Sequence, residues 1–272
     1  MRTGSKQLML IAGAALLTAA LYFAPKKKTE NDTPIDNKSE VFSFDAFVNE
    51  AKGQLKRQEV DQINEVEAAL KKDPTSNRLT DSLGKMWDRL QMPQISSHYF
   101  EINAENNPDE KSWINVAYRY YDAFRMTDDS TIRKIFVEKA ISSYQKVLSI
   151  NPENLNAKTD LGLCFAEGTS TPMKGILLLR EVVAKNPEHE MAQFNLGILS
   201  VKSGQYEKAI ERFQKVLEIN PSNKEARFLL GRTYSAVGKK DIALENLNMI
   251  KDSNDPRFNE EVKNLINQIN NN

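Results

Sequence analysis

Two histidines, His98 and His189, and one cysteine, Cys164, are the only residues of their kinds in the 272-residue chain. With so few, the chemistry open to it is narrow. The histidines fall in different helical segments, with no second cysteine and no HExxH spacing, so no zinc site is implied. Gly238-Lys239-Lys240 lacks the earlier glycine that a phosphate-cradling loop requires. Gly-x-Ser-x-Gly, the nucleophile elbow of many hydrolases, is absent. Cys164, between Leu163 and Phe165, reads as a small buried hydrophobe. Alone it can form no intramolecular disulfide, which is compatible with cytoplasm or periplasm alike. His189, after Pro187-Glu188, reads as an exposed turn residue, and His98, before Tyr99 and Phe100, as partly packed. The expectation is a protein that is not an enzyme, with no catalytic residue, no cofactor and no metal.

The charges agree. There are 37 basic and 37 acidic residues, and no long basic run lies beyond the N-terminal flank, so no nucleic-acid footprint is indicated. What remains is surface, and the elements that shape it.

The clearest element pair spans 190–223. A first helix runs from about Met191 to Lys202, with Phe194, Leu196, Ile198, Leu199 and Val201 apolar on more than one side. Ser203-Gly204-Gln205 breaks it, because glycine takes the turn at low steric cost. A second helix runs from Tyr206 to Ile219, with Ala209, Ile210, Phe213, Val216 and Leu217 at spacings of three and four. Asn220-Pro221 ends it, since a residue before proline is pushed out of the helical region. Small Gly197 and Ala209 would let the two helices approach, and Phe213 would fill the next gap. Such a pair cannot bury both its helices alone and needs neighbours. Helix-ending prolines recur at Pro74, Pro108, Pro152, Pro187, Pro221 and Pro256, with gaps of 34, 44, 35, 34 and 35 residues. A period near 34 marks a repeat array.

This stretch resembles the tetratricopeptide repeat. The best copy carries Leu196-Gly197, Ala209, Phe213, Val216 and Pro221, with Ser200 in place of the first aromatic. The next has Leu230-Gly231, Tyr234, Ala243, Leu247, Ile250 and Pro256. The preceding one has Leu161-Gly162, Phe165, Gly175 in place of alanine, Leu179, Val182 and Pro187. Earlier come Leu83-Gly84, Trp87, Ser96, Phe100 and Pro108. Between these, Trp113, Val116-Ala117, Tyr120, Ala140, Tyr144, Val147 and Pro152 make a copy with about ten extra residues, expected as a longer solvated turn around Met126–Arg133. The resemblance covers 77–256, as five repeats at about 77–110, 111–154, 155–189, 190–223 and 224–256. It implies an all-α, right-handed solenoid of stacked helix-turn-helix units.

Outside the repeats, residues 8–24 form 17 positions without a charge, about the shortest helix that crosses a bilayer. Two readings stay open for 1–24: a retained anchor, which is favoured, or a signal peptide cut after Ala20. Flanking lysines and arginines are nearly balanced, so orientation is weakly specified, with the repeats expected on the extracytoplasmic, periplasmic side. No cysteine follows for lipid attachment. Residues 25–42 read as a flexible linker, and 43–76 as a degenerate first helix pair. A rival for 43–73 is one continuous helix that pairs with a copy of itself, giving a self-associating homo-oligomer. Residues 257–272 read as a capping helix with a frayed tail, since terminal repeats need a polar-faced lid.

By position in the family, the first helices line a concave groove. That implies Arg78, Asp81, Lys85 and Arg89 at one end. Ile114, Tyr118, Tyr121, Thr159 and Leu163 would stand in the middle, and Phe194, Ile198, Val201, Phe228 and Arg232 at the far end. An apolar, aromatic groove with charged ends suits a protein or peptide partner. One family variant clamps a terminal carboxylate with Lys, Asn and Arg; Phe194 and Ile198 occupy two of those positions here, so that clamp is not expected. The function expected is a membrane-tethered scaffold for protein–protein interaction, with no nucleic-acid partner.

Overall fold

A computed structural model describes residues 43–271. Among them are thirteen helices and no strands: α1 (Phe44–Gly53), α2 (Arg57–Lys72), α3 (Asn77–Arg89), α4 (Pro93–Asn106), α5 (Glu110–Met126), α6 (Ser130–Ile150), α7 (Leu155–Gly168), α8 (Pro172–Lys185), α9 (Glu190–Lys202), α10 (Tyr206–Ile219), α11 (Lys224–Ala236), α12 (Lys240–Asn248) and α13 (Pro256–Asn271). The hydrophobic segment 8–24 and the linker 25–42 lie outside the described residues. Among those described, no helix is long and apolar enough to cross a membrane.

From α2 onward each helix packs chiefly on its neighbours in the chain, the mark of a solenoid. The turns show why the chain folds in pairs. Asp73, Asn107, Asn151, Asn186 and Asn220 each precede a proline and end a helix. Their φ and ψ are nearly the same, −131° and 76° at Asp73 and −134° and 88° at Asn220. Proline's ring forces that extended backbone on the residue before it. Within a pair, Gly204 and Gly238 take positive φ of 72° and 77°. Gln91 holds the same left-handed position, φ 57°, in the α3–α4 turn, at some steric cost.

After Pro108, Pro152, Pro187 and Pro221 the next helix is capped by a side chain. Asp109, Asn154, His189 and Asn223 accept from the backbone N–H of Ser112, Ala157, Ala192 and Ala226 at 2.7, 2.8, 3.3 and 2.7 Å. Two glutamates then tie one turn to the next. Glu110 Oε1 accepts from the Asn151 and Asn154 amides at 2.9 and 2.6 Å. Glu190 Oε1 accepts from Asn220 and Asn223 at 3.0 and 2.8 Å.

Packing within a pair sets a glycine of the first helix under a large residue of the second. A Cβ on Gly197 would lie 2.6 Å from the Phe213 ring, and one on Gly84 2.8 Å from Phe100. The α7–α8 pair is closer still, backbone to backbone. A Cβ on Gly175 would lie 2.1 Å from the Gly162 carbonyl oxygen.

Two features correct the sequence expectations. The extra residues of the second repeat do not form a long solvated turn. They lengthen the helices: α5 has 17 residues and α6 has 21, against 13 and 14 in α9 and α10. Only 127–129 connect them. Asp129 caps α6 through the Thr131 and Ile132 N–H groups at 2.8 and 2.9 Å. The Arg133 guanidinium covers the Phe124 ring at 4.5 Å.

Residues 43–73, for their part, are not one continuous helix. The chain breaks at Gln54-Leu55-Lys56. Val48, Ala51 and Ile63 are buried in one cluster with Leu83, Trp87, Ile95 and Tyr99. The Lys52 ammonium donates to Glu67 at 2.6 Å across the hairpin. The apolar stripe that a coiled coil would need is therefore spent on α3 and α4. At the other end, α13 buries Val262 and Ile269 among Phe228, Leu230 and Leu247, closing the last apolar flank.

Candidate functional site

The first helices of successive pairs also touch one another, α5 to α7 and α7 to α9. They therefore stack side by side along this part of the array, on the face where the repeat pattern implies a groove.

Its middle is the most built part. Tyr118 of α5 is 46% exposed, with its ring edge-on to Tyr144 of α6 at 6.1 Å. Tyr121, one turn on, is half-buried. Its hydroxyl donates to Glu167 Oε2 of α7 at 2.7 Å, and the Lys202 ammonium of α9 donates to Glu167 Oε1 at 3.1 Å. Three successive first helices are thus stitched together on that face. Burial and the Glu167 carboxylate both push the Tyr121 hydroxyl upward, so it stays a neutral donor. Leu163 is half-buried beside it. Thr159 is fully buried, its hydroxyl donating to the Leu155 carbonyl at 2.8 Å, and offers nothing to a partner.

At the far end, Phe194, Ile198 and Val201 are half-buried and lean on the core around Phe213. Phe194 stands edge-on to the Phe213 ring at 6.0 Å. Phe228 is 7% exposed, packed on Phe258 of α13 at 5.8 Å. It serves the cap more than the groove, while Arg232 beside it is exposed. A cavity of about 550 Å³ opens beside Phe194 and Met191, rimmed by His189, Asn156, Asn223 and Glu225. His189 is not a loose turn residue. Nδ1 accepts from Ala192 N–H to cap α9, and Nε2 faces Asn156 Oδ1 at 3.0 Å. Burial lowers its pKa, against the effect of its own backbone hydrogen bond.

At the near end Arg78, Lys85 and Arg89 are exposed. Asp81 pairs with Lys85 at 2.6 Å within α3, an exposed contact of little energetic weight. Asp88 instead reaches across to Arg119 of α5, whose Nε donates to both carboxylate oxygens at 2.9 Å. The guanidinium also lies 4.2 Å from the Phe100 ring centre.

The sequence reading missed Asp160. It is half-buried on α7, and the hydroxyls of Tyr118 and Tyr144 stand near enough to favour its charged form. Burial outweighs them and pushes its carboxyl up to about 6. A signal was present. The residue just before each small pair is Ser82, Asn115, Asp160, Asn195 and then Leu229. A polar residue recurs there on otherwise apolar helices.

Among the described residues no group of three or more metal-ligating side chains comes together. Cys164 is buried, which pushes its thiol upward and keeps it unreactive.

Models of the tetratricopeptide repeat match residues 172–224 and 200–269. Over 80 residues, 29% of this chain, it is 36% identical to the RNA polymerase-associated protein CTR9 of Saccharomyces cerevisiae. Over 124 residues, 46% of this chain, it is 28% identical to anaphase-promoting complex subunit 3 of Dictyostelium discoideum. The matches span 7% and 13% of those relatives' own lengths. Among solved structures, a tetratricopeptide repeat protein from Parabacteroides merdae superposes with a TM-score of 0.55 at 17% identity, covering 84% of this chain and 90% of that one. Residues 172–269 thus match the tetratricopeptide repeat, and the described residues share the all-helical solenoid fold of such a protein.

Proposed function

We propose that this chain is a non-catalytic scaffold that holds a protein or peptide partner along the inner face of α5, α7, α9 and α11. Its N-terminal segment 8–24 tethers it to a membrane, with the repeats on the extracytoplasmic side. The observation that carries the groove reading is Tyr118. A large aromatic ring 46% exposed, on a wall whose other helices add half-buried Leu163, Phe194, Ile198 and Val201, is an unmet hydrophobic contact. Buried aromatic anchors dominate the energetics of most interfaces. Two relatives are, by name, an RNA polymerase-associated protein and a subunit of a complex. A part in a protein assembly is proposed here by that likeness.

The test is crosslinking and affinity capture of the full-length protein from its native membrane. The Tyr118→Ala/Phe194→Ala variant is expected to lose its captured partner while its circular dichroism stays unchanged. Undiminished capture would remove the groove assignment. Carbonate washing tests the tether: release of the full-length chain into the wash overturns it. Protease applied to intact cells reports which side the repeats face.

A further inference from the structure

Asp160 is a carboxylate with no cation to answer it. Among the described residues no Lys or Arg forms an ion pair with it, although the neighbouring Glu167 takes Lys202. Beneath it lies a second unmet group. Tyr144 is 1% exposed, and its hydroxyl faces Asp160 without a regular hydrogen bond to any partner. Above it Tyr118 presents an exposed ring, and Tyr121 stands three residues on along the same side of α5. A charge, an unsatisfied buried hydroxyl and two aromatic walls thus converge at mid-groove.

We propose that Tyr118, Tyr121, Tyr144 and Asp160 form the acceptor for one basic side chain, arginine or lysine, carried by a peptide segment lying in the groove. The proposal rests on the groove reading above and names the chemistry of its occupant. A cation over a tyrosine face is attracted by the ring's quadrupole. A charge-assisted hydrogen bond to Asp160 is stronger than one between neutral groups. A guanidinium has donors enough for both carboxylate oxygens, while the Tyr144 hydroxyl, buried beneath, can turn its proton to the same carboxylate. A neutral side chain would leave Asp160 desolvated and unanswered, and an acidic one would meet Asp160 and Glu167 as like charges. The groove thereby selects the opposite charge from a clamp for terminal carboxylates.

The probes are four fluorescent, end-blocked, leucine-rich peptides that differ only in a central Arg, Lys, Gln or Glu. Their binding to the full-length chain in detergent micelles is followed by anisotropy. The Arg and Lys peptides are expected to bind about tenfold tighter than the Gln peptide, with the Glu peptide weakest. Asp160→Asn should erase that ratio, so that the Arg, Lys and Gln peptides bind alike. Tyr144→Phe, which removes only the unmet hydroxyl, should narrow the advantage of the Arg peptide. Equal affinity for Arg and Gln peptides overturns the proposal, as does a ratio that survives Asp160→Asn. A wild-type chain that binds none of the four overturns it too. If peptides bind without regard to the central residue but are lost in Tyr118→Ala/Phe194→Ala, only the cation acceptor falls and the groove stands. If that double variant binds every peptide as wild type does, the groove reading itself fails.

Discussion

Asp160 holds a charge where little water reaches it, and its titration should be visible in stability. Its carboxyl rises from 3.8 to about 6 on folding, with burial the larger cause and the Tyr118 and Tyr144 hydroxyls opposing it. Lys158, the positive charge two positions before it on α7, pairs with Glu181 at 3.5 Å instead. The native state therefore binds the proton more readily than the unfolded chain does. Its contribution is favourable below about pH 4 and is lost as pH rises through about 6. Asp160→Asn should then raise stability by about 1–3 kcal/mol at pH 8 and change it little at pH 4, read from urea unfolding midpoints at the two pH values. An equal effect at both would mean that the carboxyl is not perturbed. The polar residue that recurs before the small pairs marks the place of Asp160 in the sequence but not its burial, because one aspartate on a helix looks like any solvated position. Its meaning comes from Tyr144, sixteen positions earlier and on another helix.

Among the elements, the pairing of helices was legible and its tightest contact was not. Proline spacing near 34 and the alternation of small and large residues foretell the α9–α10 pair, with Phe213 expected in the next gap and found over Gly197 itself. Gly175 looks like a weakened copy of the alanine found at that place in the repeats of Ala209 and Ala243. It is the residue that lets α7 and α8 touch backbone to backbone. A Cβ there would lie 2.1 Å from the Gly162 oxygen and 2.7 Å from the Ala166 nitrogen. Backbone cannot rotate away as a side chain can. Gly175→Ala, which restores the common residue and gains about 1 kcal/mol of helix propensity, should still destabilise the chain by about 1–3 kcal/mol through overpacking. A thermal melt decides the sign, and a raised melting temperature would show that the helices can part without loss. The lengthened α5 and α6 were read as a turn because MTDDSTIR looks polar. Yet Ile132, Ile135 and Phe136 continue the apolar spacing of α6, and Asp129 supplies the cap that begins it.

For the molecule as a whole, the neighbour-on-neighbour packing makes the last pair depend on its lid. Phe228, Leu230 and Leu247 share their cluster with Val262 and Ile269 of α13. Removing 256–272 uncovers that flank. The shortened chain should melt several degrees lower, since about 1 kcal/mol shifts a domain of this size by roughly 2–4 °C, and should bind a dye specific for exposed apolar surface. An unchanged melt would mean that α11 and α12 close the array by themselves. The break at 54–56 has the reverse meaning at the other end. The hairpin of α1 and α2 spends Val48, Ala51 and Ile63 on α3 and α4.

Because contacts run mainly between helices adjacent in sequence, little of the structure waits for a distant part of the chain. A hairpin emerging from a ribosome would find the partner it needs already made behind it. Synthesis and folding could then proceed at the same pace, one hairpin at a time, with only the newest pair left sticky on its leading side until the next arrives.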